Sequence, residues 1–233
     1  MLSNNDGCVI SRSQEAKDIG IPMGAPAHQY QKMFDKNRIE VFSSNYQLYA
    51  DMSNRVMKIL STYSPDQEIY SIDECFLKFE GFERYDLTNY GQEIKTKILQ
   101  CTKLPVCVGI APTKALAKLA NHIAKKFPQF HQGVYTIKTE EQIYKALKWA
   151  DIEEVWGIGR RFSKRLRMIG VHKALDFVNL EDEYIRKEFS VVGLRLKKEL
   201  LGESVLDLDM ISPKKRIATT RSFEKYTNDF EYV

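Results

Sequence analysis

The sequence lacks several features that would settle its class at once. No run of about 18 apolar residues occurs, so nothing in it reads as a membrane-crossing helix. Its four cysteines (Cys8, Cys75, Cys101 and Cys107) include no Cys-x-x-Cys pair. They are expected to be reduced cytosolic thiols, not a disulfide framework or a zinc site. The opening MLSNNDGCVISRS has no basic segment followed by an apolar one, which argues against a secretory signal. No long internal repeat or low-complexity tract is present. Acid is missing from one long stretch: between Glu93 and Glu140 there is no Asp or Glu.

What is there suits an ordered protein. The chain has 233 residues, 43% of them hydrophobic, enough for one large domain or two small ones with a buried core. Lys and Arg number 35 against 31 Asp and Glu, a net charge of only +4, but the charges are segregated. The acid-free stretch carries Lys95, Lys97, Lys103, Lys114, Lys118, Lys125, Lys126 and Lys138. A second basic cluster holds Arg160, Arg161, Lys164, Arg165 and Arg167, and a third Lys214, Lys215, Arg216 and Arg221. Acids gather around Asp66 to Glu74 and Asp151 to Glu154. Segregated basic patches suit a polyanion such as nucleic acid. Solvated helix faces explain the same lysines equally well.

Periodicity predicts a mixed α/β (α+β) chain. Short strand-like runs flank the Asn4–Gly7 turn, and Ser13 to Ile19 reads as a helix stopped by Gly20. RIEVFSS reads as a strand. Residues 45–60 are amphipathic, with Leu48, Met52, Val56 and Ile59 near helical spacing. EIYSI and CFLKF are strand-like runs on either side of Asp73-Glu74. Residues 87–99 form a helix, VCVGIA a fully apolar strand, and Thr113 caps the helix KALAKLANHIAKK. From about Asp151 the pattern is helical, with breaks expected at Gly157, Gly159, Gly170 and Gly193. Residues 208–219, polar and containing Pro213, read as a linker.

Two motifs carry possible chemistry. In EIYSIDECFLKF, adjacent strand residues point to opposite faces. Asp73 and Glu74 can therefore share a metal only if the backbone turns or bulges between them. Two hard carboxylates at a strand end are the ligand type that Mg²⁺ prefers, completed by phosphate oxygens and waters. An isolated Asp-Glu pair at a turn is more often simply solvated. In VWGIGRRFSKRLRMIGV, Gly157 and Gly159 open a basic helix. That arrangement resembles a helix-hairpin-helix, whose amides and cations grip a phosphate backbone without reading sequence. A plain helix–helix corner needs the same tight turn.

Together with LSNNDGCVISR, EAKDIGIPMGAP, FSSNYQLYADMSNRVM, VGIAPTKALAKLANHIAKK and RSFE, these motifs resemble the Y-family translesion DNA polymerases, in particular their bacterial UmuC-like group. The stretches cover essentially the whole chain in the family's order. The resemblance implies a right-hand polymerase: partial fingers over 1–43, palm with a mixed sheet and flanking helices over 44–132, and helical thumb with the helix-hairpin-helix over 133–207. A linker over 208–219 and the start of a little finger over 220–233 would follow.

It further implies that Asp73 and Glu74 bind two catalytic Mg²⁺ ions. Lys17 and Lys125 would contact the triphosphate of the incoming dNTP, with Lys118, two turns earlier on the same helix, as a second candidate. Gln14 falls where many relatives have a triphosphate-binding Tyr. Gly157, Gly159, Arg160, Arg161 and Lys164 would contact DNA backbone. The implied reaction is attack of a primer 3′-hydroxyl on the dNTP α-phosphate opposite damaged template, in SOS mutagenesis and DNA repair. The implied partners are primer-template DNA, a cleaved UmuD dimer, the RecA filament and the sliding clamp, in the bacterial cytoplasm at the nucleoid.

The sequence departs from the family pattern in one respect. A DVNAFYAS-type strand, with a third metal-binding Asp and an aromatic gate against ribonucleotides, is expected before LSNN, and a full little finger after residue 233. The chain is accordingly expected to be an internal piece, truncated at both ends, without measurable polymerase activity alone. A non-catalytic damaged-DNA-binding remnant is the competing expectation, which an in-frame upstream segment would separate from the enzyme. A repair glycosylase fits less well, because the SIDE hairpin and VGIAP strand have no place in its helical domain.

Overall fold

The computed structural model describes residues 1–3 and 6–209. Asn4, Asn5, most of the expected linker, the third basic cluster and the RSFE stretch lie outside the described residues. The described residues divide into two compact units, 1–51 and 52–209.

The first unit is built on α1 (Gln14–Asp18) and α2 (Ala27–Asn37). Ser13 caps α1 by accepting from the Ala16 N–H, and Gly20 stops it at φ +93°. The segment before α1 folds back through single antiparallel bridges, Leu2 with Val9 and Cys8 with Pro26. Leu2, Val9, Ala16, Ile21, Ala25 and Phe34 form the core of this unit. Helix α2 was not legible from periodicity, because only Phe34 of its residues is buried. RIEVFSS is not a strand. Its only backbone hydrogen bond to the described N-terminal residues runs from the Leu2 N–H to the Phe42 carbonyl at 2.8 Å; the Ser44 and Ser43 hydroxyls add bonds to the Leu2 carbonyl and to Asp6 Oδ2, and Val41 and Phe42 are exposed.

The chain enters the second unit along α3 (Tyr46–Leu60). Strands β1 (Gln67–Ile69) and β2 (Cys75–Leu77) pair antiparallel, with Glu68 opposite Phe76. Helix α4 (Leu87–Thr102) follows, capped by the Asp86 carboxylate on the Thr88 and Asn89 amides. Then come β3 (Val108–Ile110), α5 (Lys114–Lys126), the short α6 (Pro128–His131) and β4 (Val134–Thr136). Strands β3 and β4 run parallel, Val108 opposite Val134. The strands thus form two separate two-stranded sheets, where one mixed sheet was expected.

Gly109 explains why α5 lies so close to β3. A Cβ there would fall 2.1 Å from the Asn121 amide nitrogen and 2.3 Å from the Ala117 carbonyl oxygen. Only glycine allows strand and helix backbones to approach this far. The face of α5 carrying Ala115, Leu116, Leu119, Ala120 and Ile123 is buried, and Lys114 and Lys118, four residues apart, share another face.

The remaining elements are helical: α7 (Glu140–Trp149), a 3₁₀ turn (Ile152–Glu154), α8 (Arg160–Met168), α9 (Ala174–Val178) and α10 (Asp182–Leu200). One continuous core joins α5 to these helices through Leu116, Leu147, Ile152, Leu166, Phe177 and Ile185. Each such side chain contributes about 1.5–3 kcal/mol on burial. Gly193 does not break α10 as expected. The non-helical residue is Ser190, at φ 60° and ψ −166°. Gly193 instead allows a close contact, since a Cβ there would come within 2.4 Å of the Phe189 Cβ.

Candidate carboxylate site and backbone-binding turn

Residues 70–74 connect β1 to β2, so Asp73 and Glu74 lie in a turn, where the strand alternation of faces no longer applies. The Tyr70 and Ser71 amides both donate to the Glu74 carbonyl at 3.1 Å. The Ser71 hydroxyl donates to Asp73 Oδ1 at 2.6 Å and accepts from the Asp73 N–H at 3.3 Å. These bonds fix the turn from within. Both carboxylates line a cleft of about 600 Å³, together with Lys114, Lys118 and Asn121.

Helix α5 supplies the cations. Lys118 Nζ bonds Glu74 Oε1 and sits over the Tyr70 ring, 5.5 Å from its centroid. Lys114 Nζ bonds the buried Glu68 at 2.6 Å and lies 5.0 Å from the Phe76 centroid. Asn121 Oδ1 is buried and, among the described residues, has no hydrogen-bond partner. Next to Glu74, burial pushes the Cys75 thiol up, Glu68 adding to the effect and the Gln67 amide opposing it.

The carboxylates are hard oxygen donors, as Mg²⁺ requires. Mg²⁺ keeps several waters and is held by one or two protein carboxylates plus substrate phosphates. Asp73 and Glu74 fit that donor set. Among the described residues, no group of three His, Cys, Asp or Glu could hold a metal without a further ligand.

The other proposed triphosphate contacts are placed differently. Lys125 is exposed on the last turn of α5, seven residues beyond Lys118 and so about 10 Å further along the axis. It is Lys118 that α5 brings to the carboxylates. Lys17 is exposed on α1 in the first unit, as is Gln14, whose side-chain amide donates to Asp18 Oδ1 at 2.8 Å.

The glycine turn leads from the 3₁₀ turn into α8. Gly157 adopts φ +88°, Ile158 is buried, and Gly159 occupies the N-cap position of α8, where no side chain caps the helix. The first amides of α8 and its positive dipole end therefore remain for an anion. Arg165 and Arg167 are paired with Glu188 and Glu153. Arg160, Arg161 and Lys164 are exposed, and among the described residues no ion pair engages them. Ser163 and Leu166 turn inward, so the basic residues form the outer face of α8. The residue before Gly157, Trp156, reaches Tyr70 at the end of β1, donating its indole N–H to the Tyr70 hydroxyl at 3.1 Å.

The sequence did not reveal the contacts Lys118–Glu74 and Trp156–Tyr70. The i,i+4 pair Lys114/Lys118 behind a Thr cap was the available signal for the first. The second joins residues 86 positions apart, and no local pattern encodes it.

The profile of the impB/mucB/samB family matches residues 1–122. Protein UmuC of Salmonella typhimurium is 46% identical over 233 residues, covering 99% of this chain and 55% of that protein. A DNA polymerase IV of Saccharolobus solfataricus is 32% identical over 184 residues, 78% of this chain and 50% of that protein. Among solved structures, DinB from Sulfolobus solfataricus superposes with a TM-score of 0.71 at 26% identity, over 87% of this chain and 58% of that one. An insertion ternary complex of Dbh DNA polymerase gives 0.71 at 25%, over 87% and 61%. The chain spans about half the length of the curated relatives it matches.

Proposed function

The chain belongs to the impB/mucB/samB family, the UmuC-like Y-family DNA polymerases, and we propose that it carries the nucleotidyl-transfer and DNA-backbone surfaces of an error-prone translesion polymerase. The observation that carries this reading is the Asp73-Glu74 turn, set in a cleft beside Lys114 and Lys118.

In this reading Asp73 and Glu74 hold Mg²⁺, two ions in the complete enzyme. The metal, when bound, supplies positive charge for the reacting phosphate and lowers the cost of ionising the primer hydroxyl. Lys17 and Lys125 take the dNTP triphosphate, and Lys118 adds a cation at the carboxylates themselves. Such fixed charges stabilise developing negative charge without reorganising at the moment of reaction. Gly157 and Gly159 let a DNA strand approach the α8 amides, while Arg160, Arg161 and Lys164 neutralise its phosphates. The fingers, palm and thumb follow residues 1–43, 44–132 and 133–207. A damaged template, a cleaved UmuD dimer, the RecA filament and the sliding clamp complete the proposed setting.

Two carboxylates with no third acid beside them among the described residues hold metal weakly. We therefore expect no measurable templated extension from the 233-residue chain alone. Its binding steps test the reading directly. Mn²⁺ should bind with an affinity that Asp73→Ala plus Glu74→Ala abolishes. Duplex DNA should bind with a salt slope that the triple change of Arg160, Arg161 and Lys164 to Ala reduces by about two to three. In any longer form of this sequence, Asp73→Ala and Glu74→Ala should each abolish primer extension; retained extension in either would sink the metal assignment.

A further inference from the structure

Trp156 immediately precedes the glycine turn, and Tyr70 immediately precedes the carboxylate turn. Their rings meet edge to face, with centroids 5.6 Å apart at 80°. The indole N–H donates to the Tyr70 hydroxyl at 3.1 Å. Phe76 on β2 completes a three-ring cluster, 5.7 Å from Tyr70 and 5.9 Å from Trp156. The Tyr70 amide donates to the Glu74 carbonyl at 3.1 Å. Lys118, which holds the Glu74 carboxylate, also sits over the Tyr70 ring, 5.5 Å from its centroid. An unbroken line of packed and hydrogen-bonded groups therefore runs from Gly157 to the carboxylates.

Trp156 is partly buried against the helical core, but that core does not include Tyr70. Tyr70 is 44% exposed, at the tip of a two-stranded hairpin. Such a hairpin is marginal alone and needs support against another element. Trp156 supplies that support from the segment that would seat a phosphate backbone, and the N–H to hydroxyl bond fixes the relative rotation of the two rings.

We propose that Trp156 is a positioning residue. A DNA strand seated on the N-terminus of α8 fixes Trp156, which through Tyr70 fixes the turn bearing Asp73 and Glu74. Duplex and divalent metal then bind cooperatively, and by linkage each tightens the other by the same factor. The proposal rests on the polymerase reading above.

The test measures free Mn²⁺ by electron paramagnetic resonance over the 233-residue chain, with and without saturating primer-template duplex. A chain carrying Asp73→Ala and Glu74→Ala, with the same duplex, subtracts manganese held by DNA. In the unaltered chain the duplex should tighten Mn²⁺ by at least about fivefold. Trp156→Ala should lose that gain while its duplex affinity, read by anisotropy, stays within about twofold, a change too small to account for the lost coupling. Trp156→Phe, which keeps a ring but no N–H, should recover part of it, and Tyr70→Phe should match Trp156→Phe. These two conservative variants carry the test if Trp156→Ala does not fold. Full tightening in Trp156→Ala, or in both conservative variants, overturns the proposal. So does an unaltered chain that binds both ligands without tightening. Failure of the polymerase reading looks different: no duplex binding, or Mn²⁺ binding indifferent to the two carboxylates, removes the site itself and the proposal with it.

Discussion

The ammonium of Lys118 on α5 holds the carboxylate of Glu74, 44 positions earlier in the chain. The pair is partly shielded, the lysine side chain 22% and the glutamate 36% exposed. A divalent ion approaching Glu74 meets this positive charge and must compete with it. Lys118→Met removes the competitor and leaves the carboxylates in place. We expect Mn²⁺ affinity to rise by roughly three- to tenfold, an ordinary size for a neighbouring-charge effect. Lys118→Arg should keep the weaker affinity of the unaltered chain. Equal Mn²⁺ affinity in Lys118→Met and the unaltered chain would show that the ammonium does not guard the carboxylate.

Glu199, near the end of α10, is fully buried, and among the described residues its carboxylate accepts from backbone amides alone. Its Oε1 accepts from Val205 and Leu206 at 2.8 and 3.0 Å, and its Oε2 from Ala115 at 3.2 Å. Ala115 lies in the first turn of α5, where the helix dipole favours an anion. Glu199→Gln must turn an amide NH₂ toward one of these N–H donors. Hydrogen bonds to a charged group contribute about 1.5–3 kcal/mol each, so the variant should lose about 2–3 kcal/mol. For a chain of this size that lowers Tm by about 5–10 °C. A melting curve followed by circular dichroism decides; a Tm within a degree of the parent would contradict the assigned role.

These two contacts show where the sequence was legible. The Thr113 cap, the helix over 114–126 and the two strands around Asp73-Glu74 follow from patterns within a few residues, and the structure has them. Helix α7 also has a local signal, the capping box between Thr139 and Gln142 ahead of an amphipathic stretch. Lys118–Glu74, Glu199–Ala115 and Trp156–Tyr70 join residues 44 to 86 positions apart. Their partners are chosen by how the elements pack, which no single-residue pattern states. The same limit explains RIEVFSS: β-branched and aromatic residues suit a strand, but a strand exists only where a partner is paired along it.

Asp151 gives a sign-definite pH effect. The Lys173 ammonium, 2.7 Å away, holds the Asp151 carboxyl below its ordinary range, against a smaller opposing effect of burial. A carboxylate whose folded value is depressed adds stability above its unfolded value, and that stability is lost as pH falls through the folded value. Both side chains are more than two-fifths exposed, so the contribution stays under about 1 kcal/mol. Asp151→Asn should therefore be slightly less stable than the parent at neutral pH, and the two urea-denaturation midpoints should converge on acidification. A gap that widens in acid would reverse the sign.

Gly109 links fold to site. Any Cβ at this position meets the backbone of α5, at the Asn121 nitrogen and the Ala117 carbonyl, and neither can swing aside as a side chain would. Gly109→Ala must push α5 away from β3. Forced overpacking of this kind costs about 1–3 kcal/mol or more. The displaced helix carries Lys114 and Lys118, so the bonds to Glu68 and Glu74 lengthen with it. Gly109→Ala should lower the urea midpoint and also raise Mn²⁺ affinity in the direction of Lys118→Met, because the guarding ammonium is withdrawn. Adding Lys118→Met to Gly109→Ala should then change Mn²⁺ affinity less than it does in the parent, as expected when two substitutions act through one contact. Full additivity in that cycle would mean that the strand–helix approach at Gly109 does not set the position of Lys118.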